Sequence, residues 1–245
     1  MEAIRDTRDT AAQEQPASEH TQIQPVRQPR TISVEQLEYH LFNPRRARDP
    51  LLDSAYQLWR DVWQSTWQEA NVSTPMYSDE FTRQDEVAIM AMGGACIAVT
   101  CLRWLDLTQA SAREDSYFKH WPEAAVEKLG RRRVCIGSNT AIDPTWRRAL
   151  VEPRPGVPGD SVRLSYASLA LSARRFVTSS ADCLIALTRN DRAIDRILLA
   201  LGSGAPLARI KICGNDTDVI CLERHNTTIE APVVGDLWQR RHHAW

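Results

Sequence analysis

Residues Arg131–Phe176 restrict the fold more than any other stretch of this chain. The apolar run Val134–Ile142 predicts a strand, and Asp143-Pro144 ends it, because proline brings no amide donor and forces the preceding residue away from regular pairing. A loop rich in Arg, Pro and Gly runs from Trp146 to Asp160. Ser161–Phe176 then carries Val162, Tyr166, Leu169, Ala170, Ala173 and Phe176 on one helical stripe, with Asp160 or Ser161 placed to cap its start. Strand, glycine-bearing loop and helix N-terminus together suit a phosphate, since first-turn amides lack internal partners. Nine arginines against three acids in this window favour an anionic partner, although the whole chain has a formal net charge of -1. The alternative is a rigid surface loop, Pro-Gly-Val-Pro-Gly, with ordinary surface arginines.

The other segments supply layers around this unit. Pro50 to Ala70 is helical, and Trp59, Trp63 and Trp67 share one face of it. That ladder either packs the core or lines an apolar acyl channel. Glu86–Met92 and Ala95–Trp104 flank Gly93-Gly94 and predict a hairpin. Phe118, Trp121, Ala125 and Leu129 mark a short helix. Ala181–Thr188 reads as a buried strand, Asn190–Leu201 as a helix stopped by Gly202, and Ala208–Cys213 and Thr217–Leu222 as terminal strands. Residues 1–30 are polar with no aromatic side chain and are expected to form a mobile tail. Residues 31–48 read as a lead-in, 49–226 as the main domain and 227–245 as an extension whose polar end the sequence does not locate. The fold class expected is α/β: a mixed, mostly antiparallel sheet covered by helices.

Several functions drop out on composition. Near-neutral charge disfavours a nucleic-acid coat. Residues 1–30 hold no apolar signal core, and Val87–Leu102 is shorter than the ~20 residues of a spanning helix. The six cysteines lie mostly in apolar runs, without zinc spacing, and read as buried free thiols of a reducing cytoplasm. No metal site is expected. His120 and His225 stand outside any motif.

Three stretches resemble the GNAT superfamily of N-acyltransferases, on the branch that holds acyl-homoserine lactone synthases and long-chain N-acyl amino acid synthases. They are Asp79-Glu-Phe-Thr-Arg-Gln-Asp85 leading to Thr100-Cys-Leu-Arg103, Ser138–Arg148 as the fourth strand, and Asn190-x-x-Ala193 with a helix stopping at Gly202. Departures are visible too. The compact phosphate loop is stretched, so Gly156 and Gly159 follow Arg147-Arg148 late. Ile136 and Asn139 stand where that branch has Glu and Arg, and no tyrosine ends the last helix.

The resemblance implies attack of an amine on an acyl thioester, with no permanently bound cofactor. Acyl-CoA, or the phosphopantetheine of an acyl carrier protein, would be the co-substrate, and the arginine surplus suits an acidic carrier. Thr140, Ala141 and Ile142 would offer backbone amides to the oxyanion. Asp79, Glu80 or Asp85 would act as base or hold the ammonium group, unless they form a solvated turn. Arg103 would bind an acceptor carboxylate, unless it forms a surface ion pair. Arg147, Arg148, Arg154, Gly156, Gly159 and Ser161 would meet the donor's phosphates, and Trp59 and Trp63 its acyl chain. The acceptor is a small amine, such as an amino acid. The departures leave a second expectation, a non-catalytic module that binds an acyl thioester or a protein.

Overall fold

The computed structural model describes residues 29–72, 77–192 and 194–244. The expected mobile tail falls, up to residue 28, outside the described residues, as does Ala193.

Beyond Arg30, β1 (Thr31–Ser33), a 3-10 turn and β2 (Leu37–Phe42) lead to the long helix α1 (Pro50–Glu69). Asp49 caps α1 by accepting from the Leu51 amide at 2.8 Å, and Pro50 occupies the first turn, where no amide is needed. The short helix α2 (Asp79–Thr82) precedes the hairpin of β3 (Glu86–Met92) and β4 (Ala95–Asp106). Gly93 and Gly94 both take positive φ, 59° and 78°, as a tight two-residue hairpin requires. Next come α3 (Ala110–Arg113), α4 (Glu123–Leu129), β5 (Arg133–Ile142), β6 (Leu150–Glu152), β7 (Val162–Arg163) and α5 (Leu164–Val177). The chain closes with β8 (Cys183–Arg189), α6 (Ile194–Ala200), β9 (Ala208–Ile212), β10 (Asn215–Glu223), α7 (Pro232–Gln239) and β11 (His242–Ala244).

The main sheet has eight strands in the order β11-β2-β3-β4-β5-β8-β10-β9. All neighbours are antiparallel except β11–β2 and β5–β8. Helices cover both faces. One face carries Leu164, Leu171 and Phe176 of α5, Leu198 of α6 and Leu237 of α7 against alternate strand residues such as Leu102, Cys135 and Leu184. The other carries α1, through Leu52, Ala55 and Trp59, and further along α4, through Ala125 and Leu129. This is the expected α/β class, GNAT-like in its layers.

Three expectations are corrected. The Arg-Pro-Gly segment contains β6 and β7, which join β1 in a small separate sheet, so the helix starts at Leu164 rather than Ser161. Its N-cap is Arg163 without a side-chain cap, so neither Asp160 nor Ser161 caps it. The lead-in and the C-terminal residues also belong to the main structure, since β2 and β11 are neighbours in the large sheet. Of the cysteines, Cys213 is exposed and the other five are buried. Among the described residues no helix is long and apolar enough to cross a membrane.

Candidate active site

The parallel pair at the centre of the sheet separates part-way along. Strands β5 and β8 are in register only over Val134–Ile136 and Cys183–Ile185. Beyond that, β5 remains on β4 as far as Ile142, and β8 remains on β10 as far as Arg189. A wedge therefore opens between Gly137–Ile142 and Ala186–Arg189. Backbone groups turned into it have no ladder partner, which leaves them available to a ligand. Ligands of open α/β sheets lie at the carboxyl ends of parallel strands, and this wedge lies there.

A β-bulge shapes the β5 wall. Cys101 pairs with Ser138 and Val99 with Ala141, so Asn139 and Thr140 together face Thr100. The extra residue bends the strand and re-aims its amides. Asn139 adopts φ 53°, a left-handed conformation that asparagine tolerates better than most residues. Its side-chain amide donates to the Glu80 carbonyl at 3.5 Å, which holds α2 against the bulge. The hydroxyls of Thr100 and Thr140 are 3.3 Å apart on the strand pair beside it.

The acidic candidates separate on this geometry. Glu80 is half-buried beside the bulge through its own main chain, and Asp79, next to it, is exposed. Asp85 accepts from the Trp104 amide at 2.9 Å and lies 3.7 Å from Arg45, so it extends the β3–β4 ladder. Arg103 donates to Asp115 at 2.7 Å, and both side chains are mostly buried. The carboxylate that meets Arg103 is thus the chain's own, an ion pair as the second expectation had it, though mostly buried rather than at the surface.

The phosphate candidates do not gather into one cradle. Arg147 and Arg148 are exposed at the end of β5, where the Arg147 Nε is 3.5 Å from the Ile142 carbonyl. Arg154 pairs with Asp236 of α7 at 2.5 Å. Gly156 has open space around it, but a Cβ on Gly159 would lie 2.7 Å from Pro232, so the loop leans on the start of α7. Ser161 is exposed and precedes β7.

A different group surrounds the true start of α5. Leu164 donates its amide to Ala149, and no acidic residue occupies the first turn. Beside it is a groove of about 300 Å³ lined by Val162, Arg163 and Tyr166 with Arg196, Ile197 and Ala200 of α6. Burial, and then nearby Glu230, raise the Tyr166 phenol, so it stays a neutral donor. Sequence reading missed Arg163 and Arg196 because each sits inside a helical pattern. The available signal was the arginine directly before the first buried leucine of α5.

Trp59 is 1% exposed and packs with Tyr56 and Phe81, in a cluster that reaches Ala141 on the β5 wall. Core packing describes it, rather than a channel lining. Trp63, one turn on, is half-buried with an indole N–H that has no protein partner. A larger cavity, about 520 Å³, lies at the opposite end of β5, against Trp104, Arg133 and the end of α5. Its buried charges, Glu86 and Arg175, satisfy each other at 2.7 Å.

No family model matches the chain, and no curated protein does. Solved structures do. The chain is similar to a CoA-dependent acyl-homoserine lactone synthase, BjaI, solved with SAM and isopentyl-CoA. The identity is 11% over 85% of this chain and 93% of that one, with a TM-score of 0.52. The same synthase with MTA gives 10% identity, coverage of 85% and 93%, and a TM-score of 0.51. An N-acyl amino acid synthase from uncultured soil microbes, FeeM, gives 9% identity, 77% and 91% coverage, and a TM-score of 0.49. At these identities the likeness is one of fold.

Proposed function

We propose that this chain, whose fold is GNAT-like, is an N-acyltransferase that moves an acyl group from a thioester to the amine of an amino acid or related small metabolite. The observation that carries this reading is the wedge between β5 and β8 with its bulge at Asn139-Thr140. Thioester and amine meet at the β5 wall. The amine nitrogen attacks the thioester carbon, and the carbonyl electron pair moves onto oxygen. Of the amides of Thr140–Ile142, that of Ala141 belongs to the ladder with Val99, which leaves the Thr140 and Ile142 amides to stabilise that oxyanion, at about 3 kcal/mol for a well-aimed donor. Return of the pair expels the thiolate and leaves an amide. The acceptor's ammonium first gives one proton to Glu80 or to water, and after attack the nitrogen gives up a second, which the departing thiolate takes. Asp79, exposed beside Glu80, helps attract the cationic acceptor.

The donor's phosphates bind at the start of α5, where Arg163 and Arg196 line the groove and no acidic residue occupies the first turn. Exposed Arg147 and Arg148 add positive charge at the end of β5 and suit either CoA or an acidic carrier protein. The likeness to a CoA-dependent synthase supports CoA. Five buried thiols suit a reducing cytoplasm.

The test incubates purified protein with acyl-CoA and acyl-carrier donors of several chain lengths and an amino acid mixture. Thiol release that requires the amine, with an N-acyl product by mass, is expected. No thioester consumption with any donor would overturn the reading. The internal Arg103–Asp115 pair and the lack of a tyrosine at the end of α6 favour a second reading, a non-catalytic acyl-thioester or protein-binding module. Thermal stabilisation by CoA species without turnover would support it.

A further inference from the structure

Strand β2 alternates strictly: Leu37, Tyr39 and Leu41 enter the core, which turns Glu38 and His40 together to the other face. Strand β11 lies parallel to β2 with His242 directly opposite His40. One carboxylate and two imidazoles thereby converge from the edge of the sheet. His40 Nε2 is 2.9 Å from the Glu38 carboxylate, the two imidazole rings stack at 4.8 Å between centroids, and one ligand atom from each residue lies within 4.8 Å of the others.

We infer that Glu38, His40 and His242 bind one divalent transition-metal ion of the zinc class and so fasten the C-terminal strand to the sheet. Zinc bonds of about 2.0–2.2 Å to nitrogen and oxygen put neighbouring ligand atoms a little over 3 Å apart. The three ligand atoms, already within 4.8 Å of one another, would close to that spacing around an ion. Two imidazoles with one carboxylate select Zn²⁺, Co²⁺ or Ni²⁺ over Mg²⁺ and Ca²⁺, which prefer all-oxygen sites. Three protein ligands leave room for water.

The site is structural rather than part of acyl transfer. Strands β3 and β4 separate β2 from β5, so the ion sits far across the sheet from the wedge. Its effect falls on β11, a three-residue edge strand whose partner in the main sheet, among the described residues, is β2. An ion shared between β2 and β11 would stabilise the docked strand in the same way that any ligand of the native state does.

The experiment titrates ZnCl₂ into chelator-treated full-length protein by calorimetry and follows thermal melts in Zn²⁺ and in Mg²⁺. Binding of one Zn²⁺ per chain, with a rise in Tm that Mg²⁺ does not reproduce, is expected. His242→Ala, at an exposed position, should lose the tight site and the Tm rise, with a metal-free Tm that no longer responds to Zn²⁺. His40→Ala should behave alike, and His120→Ala should bind as the parent does. Absence of a stoichiometric site in the parent, or equal affinity in His242→Ala, would overturn the inference.

Discussion

Arg175 of α5 and Glu86 of β3 form a two-point ion pair that ties the long helix to the sheet. The Arg175 Nε donates to Glu86 at 2.7 Å, a second guanidinium nitrogen meets the other carboxylate oxygen, and Glu86 is only 5% exposed. The guanidinium also lies over the Trp104 ring, 5.1 Å from its centroid. Removing one partner strands the other charge in the core, which costs about 3–5 kcal/mol. Arg175→Met should therefore lower the unfolding free energy by that amount in urea titrations. Glu86→Leu in the same chain should restore much of the loss, because the pair is then replaced rather than broken.

A second ion pair gives the acid limb of stability a definite shape. Asp218 of β10 is nearly buried, and the Arg209 side chain donates to both its oxygens, at 2.7 and 3.1 Å. Those hydrogen bonds hold its carboxyl below the usual value of 3.8. A depressed native pKa contributes stability that is complete above the unfolded value and fades as pH falls through the folded one. Arg209→Gln should melt at a lower temperature than the parent at pH 7, and the gap should narrow below about pH 4. A gap that stays constant into acid would mean the pair contributes nothing.

The cysteines allow a count. Burial pushes the Cys96 thiol up to about 12 and raises Cys101 and Cys135 as well, so these are poor nucleophiles as well as inaccessible ones. Cys213 alone is exposed. A thiol reagent should label one equivalent quickly in native protein and six in denaturant, and Cys213→Ser should abolish the fast phase.

What could be read from sequence was what is local. The Gly93-Gly94 hairpin and the α1 face of Leu52, Ala55 and Trp59 follow from turn chemistry and periodicity within a few residues. The wedge itself was legible only as a strand ending at Pro144, since its opening depends on where β8 stops pairing. Strand β6 was hidden because it sits between β7 and β1, and β1 lies far earlier in the chain. Arg154 looked like a phosphate ligand because its true partner, Asp236, is 82 residues away. Glu38, His40 and His242 carried no metal spacing for the same reason: β2 and β11 meet only in the folded sheet.

Asn139 tests the wedge directly. Its left-handed backbone suits asparagine or glycine and penalises a β-branched residue by about 1–2 kcal/mol. Asn139→Gly should keep most of the stability and of the proposed acyl transfer. Asn139→Val should flatten the bulge and re-aim the amides of Thr140–Ile142, so that turnover falls by more than the loss of folded protein explains. Parallel stability and rate measurements on both variants separate the two effects.

The last prediction decides which arginines receive the donor. If the stretched loop were the phosphate site, Arg154→Ala would weaken donor binding; but Arg154 is held by Asp236, which Arg240 also contacts at 2.6 Å. Arg154→Ala should then lower thermal stability and leave KM for the thioester near the parent value. Arg163 and Arg196 face the groove at the start of α5. Charge-assisted contacts to phosphate contribute about 1.5–3 kcal/mol each, so Arg163→Ala or Arg196→Ala should raise donor KM by roughly tenfold or more. The effect should weaken at high salt, where the phosphate contacts of the parent are already screened. A KM unchanged in both variants, with Arg154→Ala raised instead, would move the donor site back to the loop.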